Sequence, residues 1–271
     1  MISFPNAKIN IGLNIISKRS DGFHDIESIF YPIQLNDVLE ILECSEQLEQ
    51  KVAFSSSGID IPGEIQDNLC VKAYGLLDEK YNLPPVKIHL HKVIPIGAGL
   101  GGGSSDGAFA INMIDKLFDL RLVLSEKLDL AIRLGSDCSF FIENRPAFAS
   151  GRGEVLQNID LNFNEHKMVL INSNIYVDTA DAYSSIIPKQ PNFSLQEIFN
   201  CPVNEWNGKV VNDFEESVFS KYPEIGSIKA QLYEVGAVYA SMSGSGSSVF
   251  GIFDKEIPSL NFPSEYFVVE V

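Results

Sequence analysis

The sequence predicts an α/β protein built in two lobes. Three observations lead there. A chain of 271 residues is long enough for two modest domains with a real hydrophobic core. Apolar residues recur with a period of two in some segments and at helical spacing in others, so strands and helices are interspersed along the chain. A run of glycines, Gly97 to Gly103, lies between one of those strand patterns and one of the helix patterns.

The first strand is read from Ala7, Ile9, Ile11 and Leu13, which alternate with Lys8, Asn10 and Gly12. That period is the one a half-buried strand shows, and it puts Lys8 and Asn10 on a shared face. A loop, Lys18-Arg19-Ser20-Asp21-Gly22, leads to strands at 26–33 and 38–44, followed by an acidic segment with little periodicity. Leu69, Ala73, Leu76 and Leu77 predict a helix over 68–80. Val86, Ile88 and Leu90 predict a strand that runs on through Ile96 into the glycines. Ala108, Ile111, Ile114, Leu117 and Phe118 predict a helix over 104–120. A further helix fits 125–134, with Ser125 as its cap and Gly135 after its end. Gly151-Arg152-Gly153 reads as the passage between lobes, giving domains 1–153 and 154–271. Strands at 168–171 and 249–253 belong to the second.

Charge narrows the function classes. With 20 Lys and Arg against 36 Asp and Glu, the formal net charge is −16, which disfavours a nucleic-acid binder relying on bulk positive charge. The excess is unevenly placed. Residues 1–35 hold 3 basic and 3 acidic side chains and residues 80–153 hold 9 and 7, while residues 36–79 hold 2 and 10 and residues 154–271 hold 6 and 16. The stretches carrying Lys8 and the glycine run thus lack the acidic excess, which suits a phosphate site. No basic, apolar leader opens the chain, and no 18 apolar residues run together, so no membrane span is expected. Cys44, Cys70, Cys138 and Cys201 are too widely spaced for a metal knuckle, and thiols in a reducing cytoplasm are the expectation.

The chemistry concentrates in Pro95-Ile96-Gly97-Ala98-Gly99-Leu100-Gly101-Gly102-Gly103-Ser104-Ser105. Glycines between a strand and a helix leave backbone N–H groups unobstructed beside a helix N-terminus, where their partial positive charge favours an anion, most often phosphate. Ser104 and Ser105 can add hydroxyl ligands to phosphate or to magnesium. A flexible linker would not be flanked by periodic segments on both sides. Gly97-x-Gly99-x-x-Gly102 also fits the dinucleotide fingerprint of an NAD enzyme. Pro95 at the end of the feeding strand and glycines continuing past the motif argue against it. No GxxxxGK[ST] run is present. A nucleotide-binding protein without turnover is the other class the loop allows. His89 and His91 share a strand face, and with no third ligand at suitable spacing they read as ordinary sheet surface.

The glycine run resembles the second motif of the GHMP kinases, a family of small-molecule kinases. Pro5-Asn6-Ala7-Lys8-Ile9-Asn10-Ile11-Gly12-Leu13 is similar to that family's N-terminal motif, and Ser241-Met242-Ser243-Gly244-Ser245-Gly246-Ser247-Ser248 to its C-terminal glycine motif, in the family's order. Arg19-Ser20-Asp21-Gly22-Phe23-His24 and Leu134-Gly135-Ser136-Asp137-Cys138-Ser139-Phe140-Phe141 resemble segments of one branch of it. In that branch a Tyr stands where this chain has Phe23, and a Pro where it has Ser139.

The resemblance implies an N-terminal lobe like ribosomal protein S5 domain 2 and a ferredoxin-like C-terminal lobe, with a cleft between them. It implies transfer of the γ-phosphoryl group of ATP, with Mg2+, to the tertiary C2 hydroxyl of a cytidine diphosphate-linked methylerythritol, on the non-mevalonate route to isoprenoid precursors. Asp137 matches the catalytic aspartate, which accepts or orients the hydroxyl proton, and Lys8 would be its electrostatic partner. Residues 95–105 would bind ATP. Asn10, Phe23, His24, Gly244 and Ser245 would bind the acceptor, with Phe23 as a stacking surface and the Gly244 turn closing on the substrate side of the phosphates. Partners other than small molecules are not expected, beyond a monomer or homodimer.

Overall fold

The computed structural model describes residues 1–44, 50–184, 186–191, 194–198 and 201–271, with the side chains of 184 and 198 outside that description. Part of the acidic segment after Cys44, residues 45–49, therefore lies outside the described residues.

In chain order the elements are β1 (Ile2–Ser3), β2 (Asn6–Lys18), β3 (His24–Asn36), β4 (Val38–Glu43), β5 (Val52–Gly58), α1 (Leu69–Tyr81), β6 (Val86–Lys92), α2 (Gly102–Leu117), α3 (Leu124–Leu134) and α4 (Cys138–Glu143). They continue with β7 (Ala147–Ser150), β8 (Val155–Asn158), β9 (Lys167–Asn172), α5 (Thr179–Ser184), α6 (Leu195–Ile198), α7 (Phe214–Lys221), α8 (Pro223–Glu234), β10 (Tyr239–Met242), β11 (Val249–Phe253) and β12 (Phe267–Glu270). By its internal contacts the chain divides into two compact units that interleave in sequence. The first is Met1–Ala7, Gln34–Ile96 and Gly101–Arg145; the second is Lys8–Ile33, Gly97–Leu100 and Pro146–Val271.

The first unit holds a sheet of order β1-β4-β6-β5, in which β5 and β6 run parallel and the other pairs antiparallel. Leu39, Ile41, Val86, Ile88 and Leu90 face a core completed by Ala73 and Leu77 of α1 and by Ala110, Ile111 and Ile114 of α2. The Asn68 side chain caps α1, accepting from the Cys70 N–H at 2.9 Å. α3 is capped differently from the expectation. Val123 precedes it and the Glu126 carboxylate accepts the Val123 N–H at 3.1 Å, so Ser125 is not the cap, while Gly135 does end the helix. β6 stops at Lys92 rather than running to Ile96, because the Asp37 carboxylate takes the N–H groups of Val93 and Ile94, at 2.6 and 2.9 Å, out of any ladder. α2 spans 102–117, taking Gly102 and Gly103 into its first turn. β5 was not legible as a strand: its serines carry little apolar alternation.

The second unit holds an antiparallel sheet β10-β11-β9-β12 and a sheet β2-β3-β7-β8. Val169, Ile171 and Val249 pack with Phe214 and Val218 of α7 and with Ile225, Ile228 and Leu232 of α8, whose first turn opens on Pro223. Two readings of this part change. Gly151-Arg152-Gly153 is the tip of the β7–β8 hairpin. β2 is buried on both faces instead of one: Ile9, Ile11 and Ile15 are wholly buried, and Lys8, Asn10 and Asn14 are buried opposite them. The polar face of this strand is an interior polar surface, and the site grows from it.

Candidate active site

Lys8 is 3% exposed, an arrangement a lysine adopts only with partners. Its ammonium donates to Asn10 Oδ1 and sits 4.9 Å from the Phe30 ring centroid, and its backbone N–H donates to Leu100 O at 2.9 Å. Asn10 Nδ2 donates in turn to Ser28 Oγ at 2.9 Å, which donates to Gly12 O at 2.7 Å. The strand face predicted for Lys8 and Asn10 is thus a locked hydrogen-bonded row.

The C-terminal glycine turn closes on the first half of the glycine loop. Ser243 Oγ accepts from the Asn10 N–H at 3.1 Å and donates to Gly99 O at 2.8 Å, and the Ser248 N–H donates to Ala98 O at 3.2 Å. Gly99 has φ +76°, and a Cβ there would lie 2.0 Å from Ser243 O, so no other residue fits. Asn212 fixes the turn by donating to Met242 O and Gly244 O, both at 2.8 Å. Asn172 Nδ2 donates to Ser247 Oγ and Ser248 Oγ at 3.0 and 3.1 Å, and Ser245 Oγ lies 3.1 Å from Thr179 Oγ1. Lys8, Asn10, Gly97, Ala98, Gly99, Leu100, Gly244 and Ser245 are all in the second unit.

The same unit carries an aromatic group around His24, built on Tyr183 and not on the Phe23 expected from sequence. His24 stacks on Tyr183, with ring centroids 4.8 Å apart and planes 20° from parallel, and Tyr183 meets Phe214 edge-on at 4.8 Å. Burial, then the charge of Lys18, holds the His24 pKa below the usual histidine value, so its neutral form is favoured. Phe23 is half exposed with the Arg152 guanidinium 4.8 Å from its ring centroid. Pro95 and Ile96 end the feeding segment in the first unit. Tyr183, Arg152, Ser243 and Asn212 were missed as site residues. The serine lay in a glycine motif and Arg152 in the Gly151-Arg152-Gly153 segment, but Tyr183 and Arg152 are 159 and 129 residues from the His24 and Phe23 rings they meet and Asn212 is 30 and 32 residues from Met242 and Gly244, so no local pattern pairs them.

In the first unit, Gly101 with φ +68° stands at the N-terminus of α2, which no side chain caps. The first-turn N–H groups of Gly102, Gly103 and Ser104 thus receive no side-chain cap, the arrangement that favours an anion. Beneath that turn lies a buried triad. Lys92 donates to Asp37 and, at 2.8 Å, to Asp106 Oδ2; a Cβ on Gly102 would lie 2.9 Å from Lys92 Nζ. Burial works against the Lys92 charge, yet the two carboxylates hold its ammonium above the usual lysine value. Burial drives the Asp106 carboxyl up to about 7 against the pull of Lys92, and the nearby Asp37 adds to the rise. The two directions agree once one lysine is seen to serve two carboxyls: the ammonium stays charged, and the second carboxyl is the one that gives way.

Asp137 stands immediately before α4, at its N-terminal flank, without capping it. The next residue, Cys138, is buried, which pushes its thiol up to about 12 while a hydrogen bond with Ser104 opposes the rise. Asp137 is thereby tied to the first turn of α2 through one neighbour. Ser105 and Ser139 are buried with no hydrogen-bond partner for their hydroxyls. Ser139, where the resemblance expects a proline, adds an unpaired hydroxyl two residues from Asp137. Among the described residues no three His, Cys, Asp or Glu converge as metal ligands.

The uncapped helix start of the first unit, and in the second the strand with a left-handed glycine loop and a glycine turn clamped on it, are each of the kind small-molecule kinases use. Comparison bears this out. The model for the GHMP kinases N terminal domain matches residues 68–151, and that for the GHMP kinases C terminal matches 202–259. A 4-diphosphocytidyl-2-C-methyl-D-erythritol kinase of Bacteroides fragilis is 49% identical over 268 residues, covering 98% of this chain and 97% of that one. A crystal structure of 4-(cytidine 5'-diphospho)-2C-methyl-D-erythritol kinase superposes with a TM-score of 0.77 at 30% identity, over 93% of this chain and 89% of its own. The mevalonate kinase of Methanococcus jannaschii shares the fold, with a TM-score of 0.65 at 18% identity, over 93% of this chain and 90% of its own. The chain belongs to the GHMP kinase family, in the branch of the 4-diphosphocytidyl-2-C-methyl-D-erythritol kinases.

Proposed function

We propose that this chain transfers the γ-phosphoryl group of ATP to the C2 hydroxyl of 4-diphosphocytidyl-2-C-methyl-D-erythritol, a step of the non-mevalonate route to isopentenyl diphosphate. The observation that carries the reading is the near-full-length correspondence with relatives of that name. The residues supply a reason. Phosphoryl transfer needs a held triphosphate, an acceptor oxygen close to losing its proton, and compensation for charge in the transition state. Residues Pro95 to Ser105 hold the triphosphate through backbone N–H groups. Asp137 accepts the hydroxyl proton or orients the hydroxyl, and Lys8 offsets the developing negative charge. Asn10, Phe23, His24, Gly244 and Ser245 bind the acceptor, and the flat His24–Tyr183 stack suits a nucleobase.

Magnesium suits the loop: the Ser105 hydroxyl, buried and unpartnered, and that of Ser104 are the protein oxygens that would hold it. When bound with ATP it would neutralise phosphate charge. Residues 1–153 form the N-terminal, ATP-binding domain of this assignment and 154–271 the C-terminal one, a division supported by family-model spans on either side of it. The four cysteines are free thiols, as a cytoplasmic enzyme would keep them, and no helix among the described residues is long and apolar enough to cross a membrane. We place it there as a monomer or homodimer. ADP release from magnesium-ATP tests the function, with the cytidylyl methylerythritol, mevalonate, homoserine and galactose assayed in parallel. Release with the cytidylyl substrate alone is expected; release with mevalonate or homoserine instead would keep the family and reject the substrate.

A further inference from the structure

The outer face of β5 and β6, opposite the face that carries Lys92 into the core, holds a second constellation of potential ligands. β6 alternates strictly: Val86, Ile88, Leu90 and Lys92 are buried, so His89 and His91 both point to the opposite, accessible face. β5 lies parallel beside it, pairing Ser55 with His89 and Ser57 with His91. The result is a chain of four side chains. Ser55 Oγ lies 2.9 Å from His89 Nδ1, and Ser57 Oγ lies 2.9 Å from both His89 Nε2 and His91 Nδ1.

Two imidazole nitrogens therefore converge on one point. A hydroxyl has a single proton to donate, so Ser57 can satisfy the lone pair of only one of them; the other nitrogen must carry its own hydrogen and donate back. A divalent cation between the two rings, with the Ser57 side chain turned aside from the point its oxygen holds, removes that restriction, since it takes the lone pair of both. Ser55 completes the arrangement, because a ligating histidine commonly uses its other ring nitrogen as a donor to a neighbouring oxygen, which fixes tautomer and ring orientation. Neither histidine is among the residues assigned to phosphoryl transfer.

We propose that His89 and His91, with Ser55 behind and Ser57 beside them, form a surface site for a divalent transition-metal ion of the imidazole-preferring class, such as zinc. Two protein nitrogens supply the ligands and water fills the remaining positions, with Ser57 turning its hydroxyl to such a water. Magnesium, which favours oxygen ligands and holds its waters, does not compete there. The site lies within the first unit and needs no other part of the molecule.

Isothermal titration of the full chain with zinc chloride, in buffer containing excess magnesium, tests this. One zinc per chain is expected. His89→Gln and His91→Gln should each weaken that binding by at least about tenfold, and Ser55→Ala by a smaller factor, as loss of an outer partner does. Each variant should keep the wild-type unfolding midpoint and the wild-type rate of ADP release, since the side chains are on the accessible face. Absence of zinc binding at millimolar concentration would overturn the proposal, and so would binding that both histidine variants leave intact.

Discussion

At the scale of single residues the account rests on Lys8 and Asp137, each commonplace by itself. A lysine on a strand is ordinarily solvated and an aspartate beside a helix ordinarily caps it. Lys8 departs from that: it is buried, fixed by Asn10 and set over Phe30. Asp137 departs too, in that it caps nothing at the start of α4. If Asp137 is the base, Asp137→Asn should lower turnover by about two to four orders of magnitude, the usual share of general base catalysis, with nucleotide affinity nearly unchanged. Steady-state kinetics beside an equilibrium nucleotide titration checks it; near-normal turnover would remove Asp137 from that role. The alternation of Lys8 and Asn10 was legible in sequence. Their burial was not, because a polar strand face looks the same whether it meets water or an interior polar network.

At the scale of elements, two glycines of one loop should behave in opposite ways. Gly99 has a left-handed backbone and Ser243 O where a Cβ would go, so Gly99→Ala should destabilise the fold itself. Gly103 sits in the first turn of α2 with nothing within 4 Å of a Cβ. Gly103→Ala should leave stability unchanged or raise it by up to about 1 kcal/mol, the helix preference of alanine over glycine. It should nonetheless weaken ATP binding by about tenfold or more, because the added methyl would occupy the open space through which a phosphate approaches the first-turn N–H groups. Thermal unfolding and nucleotide titration on the same variants separate the two effects; equal loss of stability in both would contradict the role given to Gly103. The triad under α2 gives a third contrast. Lys92→Met leaves Asp37 and Asp106 buried without their cation, at an expected cost of about 3–5 kcal/mol in urea unfolding. A cost below about 1 kcal/mol would mean the triad does not anchor the turn. Neither the triad nor β5 was legible beforehand. Asp37, Lys92 and Asp106 lie in three separate segments, and a serine strand shows no apolar period, whereas the apolar runs of β9, between Lys167 and Asn172, and of β11 were read almost to the residue.

At the scale of the whole molecule, the sequence is acidic and the proposed substrates are polyanions. The two facts are compatible because the acidic excess is confined to residues 36–79 and 154–271, while the stretches with Lys8, the glycine loop and Asp137 are balanced or slightly basic. The three glycine- and lysine-bearing motifs were legible because each is local and ordered along the chain. What joins them was not: Ser243 to Asn10 and Gly99, Asn212 to Gly244, and Tyr183 to His24 are contacts that only the folded chain creates. The acceptor is settled most directly by ADP release from magnesium-ATP with 4-diphosphocytidyl-2-C-methyl-D-erythritol, followed by location of the phosphate by 31P NMR. Stoichiometric ADP and a new phosphate monoester on C2 of the methylerythritol are expected. Absence of ADP with that acceptor, or a phosphate on any other oxygen, would contradict the proposed function.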